Sequence, residues 1–129
     1  MQEFFINKNS LNPVLRMELI TDDKYEYKKN LLFNHSIQNA DVTFSMRNIS
    51  NGILKISKAN AEIVTVSDCE CEPNFILQYT WKKRDINEEG SFKGWFEINF
   101  KGDLFEEGVE HLTGNLIIPI EEELIINVL

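Results

Sequence analysis

The segment 79–100, YTWKKRDINEEGSFKGWFEINF, and the residues just before it contain two alternating apolar runs separated by a polar turn. In each run the apolar side chains recur at every second position. A period of two is typical of strands that bury one face, so we expect two strands that are paired or packed across a core. The shared faces hold Phe75, Leu77, Tyr79 and Trp81 in the first run and Phe92, Gly94, Phe96, Ile98 and Phe100 in the second.

The turn between these runs, residues 82–89, is polar or small apart from Ile86. It is too long for a two-residue hairpin. It also lacks the residue pattern of an active site. The segment therefore predicts a β-sandwich scaffold whose function comes from its partners rather than from chemistry.

Short strand-like runs with turn residues between them fill much of the remaining chain. The clearest covers 41–47, where we expect the apolar residues to face inward and Thr43, Ser45 and Arg47 to face outward. About eight such strands at regular spacing are typical of an all-β sandwich or barrel. The other expected strands are 4–8, 14–20, 53–56, 59–66, 114–120 and 123–129.

One segment, 21–39, is polar and irregular, and its length suggests a functional loop or a helical turn. The chain has no internal repeat, low-complexity tract or linker. We therefore expect residues 1–129 to form a single domain.

Composition and charge exclude several kinds of partner. The formal net charge is −8 and the sequence pI is about 4.7, whereas a protein that binds a phosphate backbone needs a basic face. We expect no nucleic-acid partner and, by the same repulsion, no anionic membrane surface. The start of the chain has no signal-peptide pattern, and no run approaches the ~20 apolar residues of a membrane span. The sequence thus predicts synthesis in the cytoplasm.

Candidate catalytic and metal-binding residues are few. Cys69 and Cys71 lie in an acidic loop and would close a strained ring if bridged, so we expect free thiols. A zinc site would have to recruit His35 and His111, neither of which lies in a ligand-spaced motif. The acidic run 121–123 splays over both faces of a strand and fits a solvated edge. With no known nucleophile or phosphate-binding motif present, we expect no enzyme, metal or cofactor.

Trp95 is the strongest candidate for a binding residue. It alternates with the buried face of its strand and is flanked by Lys93 and Glu97. An aromatic side chain on the outer face of a strand is a common interface anchor. The alternative is that a neighbouring loop such as 21–39 covers it. Ile76 and Ile125 also fall on the outer faces of their strands, so each is either a contact residue or a residue covered by a loop.

Three motifs in series resemble a known family. They are NPVL at 12–15, ADVTFSMR at 40–47, and a third pattern made by Tyr79, Trp81, Asp85, Gly90, Phe92, Gly94, Phe96 and Ile98. Together they resemble the immunoglobulin-like N-terminal domain of upper baseplate proteins of tailed phages, over about residues 12–100. Segment 22–38 departs from that family because it is longer and more aromatic than the usual short turn.

The resemblance implies an immunoglobulin-like antiparallel β-sandwich of about seven to nine strands. It also implies a scaffold role for the third motif: Trp81 and Phe92 would fill the core, and Asp85 would cap the turn. Gly90 would permit a positive φ, and Gly94 would leave room for a bulky neighbour.

In function, the resemblance implies a non-enzymatic virion protein, made in the host cytoplasm and docked on other virion proteins. A capsid auxiliary or decoration subunit and a tail, neck or baseplate adaptor both remain open, as does a homo-oligomer in the particle. A carbohydrate- or host-surface-binding module is the alternative, with Trp95, Tyr25 and Tyr27 as stacking residues. A small enzyme assembled from the long loops is the third possibility.

Overall fold

The computed structural model describes residues 2–19, 40–66, 74–100, 114–119 and 122–129. These residues form nine strands and one short 3₁₀ turn at Lys83–Asp85, which precedes β7. The strands are β1 Gln2–Ile6, β2 Leu15–Leu19, β3 Asp41–Asn48, β4 Leu54–Asn60, β5 Glu62–Val66, β6 Asn74–Tyr79, β7 Gly90–Phe100, β8 Gly114–Ile118 and β9 Leu124–Val128. No helix among the described residues is long and apolar enough to cross a membrane.

The larger sheet has six strands, in the order β1-β9-β7-β3-β4, with β8 also paired to β7. Strand β7 is its centre. One edge of β7 pairs with β3, while the other edge pairs with β9 along Gly90–Gly94 and with β8 along Phe96–Phe100. At the far side, β1 runs parallel to β9, and every other pairing in the sheet is antiparallel among the described strands.

The smaller sheet has the order β2-β6-β5, and both of its pairings are antiparallel. In an immunoglobulin-like sandwich, strands C, F and G form one sheet and strands B, E and D lie in the other. Here β3, β7 and β9 occupy the C, F and G positions, and β2, β6 and β5 occupy B, E and D. The expected all-β sandwich is therefore confirmed, and the alternating runs that form β6 and β7 belong to different sheets.

An aromatic cluster fills the space between the sheets. The ring of Phe44 stacks on that of Tyr79 at 4.8 Å between centroids and lies 5.0 Å from that of Phe96. Trp81 meets both Phe44 and Tyr79 edge-on. These rings are almost fully buried, and so is Phe92. Aromatic pairs in such geometry add roughly 0.5–1.5 kcal/mol each beyond their area burial.

Gly94 permits this packing. A Cβ atom built on it would lie 3.0 Å from Cζ and 3.1 Å from Cε1 of Phe44. The absence of a side chain at Gly94 therefore lets the Phe44 ring approach the backbone of β7. Gly90, at the start of the same strand, has φ +144°, a conformation that glycine adopts readily.

The structure differs from the sequence expectation at β4. We expected a break after residue 56, but β4 continues to Asn60 through an irregular register with β3. Lys58 has φ +48° there, and its backbone N–H donates to Ser45 Oγ at 3.0 Å. Ser45 was expected outside, yet it is buried, because this irregularity brings the β4 backbone against its hydroxyl. The expected loop 21–39 lies outside the described residues.

Candidate interface on the outer sheet face

The larger sheet has an outer face that points away from the smaller sheet. Strand pairing arranges its side chains in rows that cross the strands, because directly paired residues share a face. One row holds Glu3, Ile125, Lys93, Arg47 and Leu54, and a second holds Phe5, Asn127, Ser91 and Ile49. Another row, beyond Trp95, holds Ile117, Glu97 and Thr43.

Trp95 lies at the middle of this face, opposite Ser45 on β3. It is half-buried, and the guanidinium carbon of Arg47 lies 5.8 Å from the centroid of its ring. This is a cation–π distance, worth roughly 0.5–1 kcal/mol at an exposed site. The contact with Arg47 therefore restrains one side of the indole. Segment 21–39, the loop that could cover Trp95, lies outside the described residues.

A groove adjoins Trp95 because β8 and β9 both pair with the same edge of β7 but do not meet. Strand β8 ends at Ile118 opposite Phe96, and β9 begins at Leu124 opposite Gly94, so Trp95 lies at the junction between them. The groove has a volume of about 510 Å³. It is lined by Arg47, Lys93, Gly94, Trp95, Ile117, Pro119, Glu122, Glu123 and Leu124.

Charges of both signs border the groove. Lys93 Nζ lies 3.6 Å from Glu123 Oε1, with both side chains more than half exposed. An exposed pair of this kind contributes about 0–1 kcal/mol, so either partner can exchange it for another contact at little cost. Glu122 accepts a hydrogen bond from the side-chain amide of Gln2 at 3.1 Å. The rim is therefore polar and adaptable.

Several large apolar side chains on this face remain open to solvent. Phe5, Ile49 and Ile117 are each 54% exposed, and Leu54 is 43% exposed. Single exposed apolar residues are ordinary, so these four matter because they lie on the same sheet face. Ile125, by contrast, is buried although it points outward, and Ile76 on the smaller sheet is half-buried.

A second group of polar contacts, centred on Asp85, lies in the turn before β7 and stabilises the fold. The Tyr79 hydroxyl donates to Asp85 Oδ2 at 2.7 Å, and the backbone N–H of Lys82 donates to the same oxygen at 2.8 Å. Asp85 is 4% exposed, so these donors replace the water that its carboxylate loses on burial. Asp85 thus accepts a backbone N–H of the turn, the role that the family resemblance implies for it.

Burial and the hydrogen bond to Asp85, in that order, raise the pKa of Tyr79 well above its ordinary value. The phenol therefore stays protonated and remains a donor. Nearby, Trp81 Nε1 donates to the carbonyl oxygen of Pro13 at 3.0 Å and so ties the turn to the segment before β2. Both contacts stabilise the turn.

Several candidates from the sequence lie outside the described residues. These are Tyr25, Tyr27, His35, Cys69, Cys71, His111 and Glu121. Within the described ranges, no group of three or more His, Cys, Asp or Glu side chains is placed to hold a metal ion.

Sequence reasoning identified Trp95 but missed its neighbours Arg47, Ile117 and Pro119 as parts of the same surface. Alternation along β3 and along 114–120 does show which residues face outward. It does not show that both segments pair with β7, one on each edge, because pairing is a long-range property.

The chain matches no model of a known protein family, and no curated protein or solved structure matches it significantly. The proposals below therefore depend on the residues themselves.

Proposed function

We propose that this chain is a non-enzymatic structural protein of a bacteriophage particle. It is made in the host cytoplasm, assembles into the virion and docks on other virion proteins. Its place is either the capsid surface, as an auxiliary or decoration subunit, or the tail, neck or baseplate, as an adaptor.

The serial motifs at 12–15, 40–47 and 79–98, which resemble the phage family in the same order, carry this proposal. The positions of the motif residues in the structure are consistent with a virion role. Trp81, Phe92 and Asp85 are buried scaffold residues, whereas Phe5, Ile49, Leu54 and Ile117 are exposed on the outer sheet face. A rigid sandwich with an apolar, polar-rimmed face is suited to assembly with other proteins.

Quantitative mass spectrometry of purified particles tests the proposal. The phage that encodes the chain is purified through two density gradients, and the chain is quantified against the major capsid protein. A constant stoichiometry through both gradients supports a virion role; a high copy number indicates decoration and a low one an adaptor. Loss of the chain on purification, in step with host cytoplasmic proteins, would refute it.

The groove beside Trp95 gives a reason to keep a second candidate, a module that binds carbohydrate or a host surface. Sugar rings stack on aromatic faces, and polar side chains line the groove. Arg47 already lies over the Trp95 ring, which leaves less of it for a sugar. Binding on a glycan array that Trp95→Ala abolishes, with the fold retained, would favour this candidate; no binding to any glycan would eliminate it.

A further inference from the structure

We propose that a second groove, between β4 and the turn before β7, binds an acidic segment of a partner protein. The proposal is independent of the particle role, because it concerns binding by the free chain. The groove shares no lining residue with the one beside Trp95. We call it the basic groove; it is lined by residues 55–60 of β4, by Tyr79 at the end of β6, and by Lys82, Arg84 and Asp85 of the turn.

The lining of the basic groove is positively charged, although the chain as a whole is acidic. Its charged members are four cations and one carboxylate, which give a formal charge of +3, against −8 for the whole chain. The cations are Lys55, Lys58, Lys82 and Arg84. A local positive field attracts ligands that the rest of an acidic surface repels. The basic groove therefore selects for negative charge in a partner.

Tertiary structure, rather than one run of sequence, brings these cations together, because two lie on β4 and two in the turn. Lys55 links the two walls of the groove: its Nζ donates to Asn87 Oδ1 at 2.7 Å and lies 3.8 Å from Glu88 Oε2. Lys58 is fixed through its backbone N–H, which donates to Ser45 Oγ. The walls are thus positioned before a partner binds, so binding need not order them.

Three of the cations are available to a partner. Lys58, Lys82 and Arg84 are exposed, and within the described ranges no ion pair joins any of them to a carboxylate. Asp85 is the one acid in the lining, and its buried Oδ2 already accepts the Tyr79 hydroxyl and the backbone N–H of Lys82. The groove therefore presents charged donors that match the Asp and Glu side chains of a partner.

Protection of a sheet edge explains only part of this charge. Among the described strands, β4 is the last of the larger sheet on its side, and Lys on an edge strand discourages pairing with other chains. That role accounts for Lys55 and Lys58. It does not account for Lys82 and Arg84, which lie in the turn and not on the edge strand. A ligand explains why cations from both elements line one groove.

The size of the groove favours a short acidic segment over a nucleic acid. Its volume is about 410 Å³, which is room for a few side chains. A phosphate backbone would continue beyond it across a chain of net charge −8, where each further phosphate is repelled. A peptide can instead place carboxylates in the groove and turn uncharged residues towards the acidic surroundings.

Fluorescence anisotropy with a labelled peptide of alternating Glu and Ser tests the proposal on the purified full chain. We expect saturable binding with a Kd below ~1 mM, the weak range of exposed ion pairs, and weaker binding as salt is added. The matched peptide of alternating Gln and Ser should not bind. No saturation by the Glu peptide up to ~1 mM would overturn the proposal, and so would tighter binding of a single-stranded oligonucleotide of equal charge.

Substitutions on both walls test whether the basic groove is the site. Arg84→Glu places a carboxylate against those of the peptide and should weaken binding about tenfold or more. Lys58→Asn removes a cation from β4, and asparagine tolerates the φ of +48° at this position. It should weaken binding about threefold, the effect of one exposed charge pair. The double variant should show no saturable binding.

Lys83→Glu is the matched control, because Lys83 is exposed in the same turn but does not line the groove. It changes the net charge as much as Arg84→Glu does, yet should weaken binding by no more than about threefold, since salt screens a charge outside the groove. Circular dichroism and thermal unfolding verify that each variant is folded. Equal losses in Lys83→Glu and Arg84→Glu would show that the peptide responds to net charge alone, and the groove would not be its site.

Discussion

The packing of Gly94 against Phe44 is the residue-scale feature that most directly links the sequence motif to the core. Glycine is required there by space rather than by backbone conformation, because the Phe44 ring occupies the position of a side chain. Phe44 is itself held by Tyr79, Trp81 and Phe96, so it has little freedom to move away.

We therefore expect Gly94→Ala to lower the free energy of unfolding by about 1–3 kcal/mol, the usual cost of overpacking a core. Urea unfolding, monitored by fluorescence, measures this loss of stability. Gly52→Asn is the contrasting variant: nothing lies within 4 Å of a Cβ at Gly52, and asparagine tolerates its φ of +72°. That variant should change stability by less than about 0.5 kcal/mol. A Gly94→Ala protein as stable as the original would mean that Phe44 moves freely.

The Tyr79–Asp85 hydrogen bond gives a second prediction at this scale. Tyr79→Phe removes a donor to a buried carboxylate and should cost about 1.5–3 kcal/mol at neutral pH. Asp85→Ala should cost more, because it leaves both the Tyr79 hydroxyl and the Lys82 N–H without their acceptor. Chemical denaturation of the two variants side by side measures the difference.

The raised pKa of Tyr79 adds a pH dependence to this prediction. The unfolded phenol ionises near pH ~10 while the folded one stays protonated, so the stabilising effect is complete below that pH and is lost as the pH rises further. The stability advantage of the original chain over Tyr79→Phe should therefore shrink above about pH 10. An advantage that grows with pH would contradict this linkage.

At the scale of elements, strand position was readable from the sequence and strand pairing was not. Alternation located β2, β3, β6 and β7, because each buries one face against the opposite sheet. Nothing local indicates that β1 joins the larger sheet in parallel with β9, since those strands are separated by most of the chain.

The sequence also predicted only part of the outer face of the larger sheet. Alternation places Trp95 on the outer face of its strand, but the groove beside it lies where β8 ends and β9 begins, and only tertiary pairing determines that. The burial of Ser45 likewise follows from an irregular register in β4, which the composition of that strand does not reveal.

The face of β1 that packs against the core can be tested with two adjacent substitutions. Ile6 is 2% exposed and faces the core, whereas its neighbour Phe5 is 54% exposed on the outer face. We expect Ile6→Ala to cost about 2–5 kcal/mol through lost burial and a cavity, and Phe5→Ala to cost less than about 1 kcal/mol. Thermal unfolding of both variants provides the comparison. Equal effects would show that β1 does not pack as this register requires.

At the scale of the whole molecule, the sandwich separates a rigid interior from a face suited to contact. The interior depends on the aromatic cluster and the Asp85 turn, and the outer face of the larger sheet presents Trp95 among charges of both signs. Association through that face should thus be separable from folding. Substitutions such as Lys93→Glu should alter assembly while lowering the free energy of unfolding by no more than about 1 kcal/mol, the upper value for an exposed pair such as Lys93–Glu123.

We propose that this immunoglobulin-like sandwich is a component of a phage particle and acts by binding other virion proteins. Cryo-electron microscopy of purified particles tests it most directly. We predict density for a two-layer sandwich, with β1-β9-β7-β3-β4 as one layer and protein contacts on the outer face around Trp95. A well-resolved particle in which no density at any position fits this sandwich would contradict it.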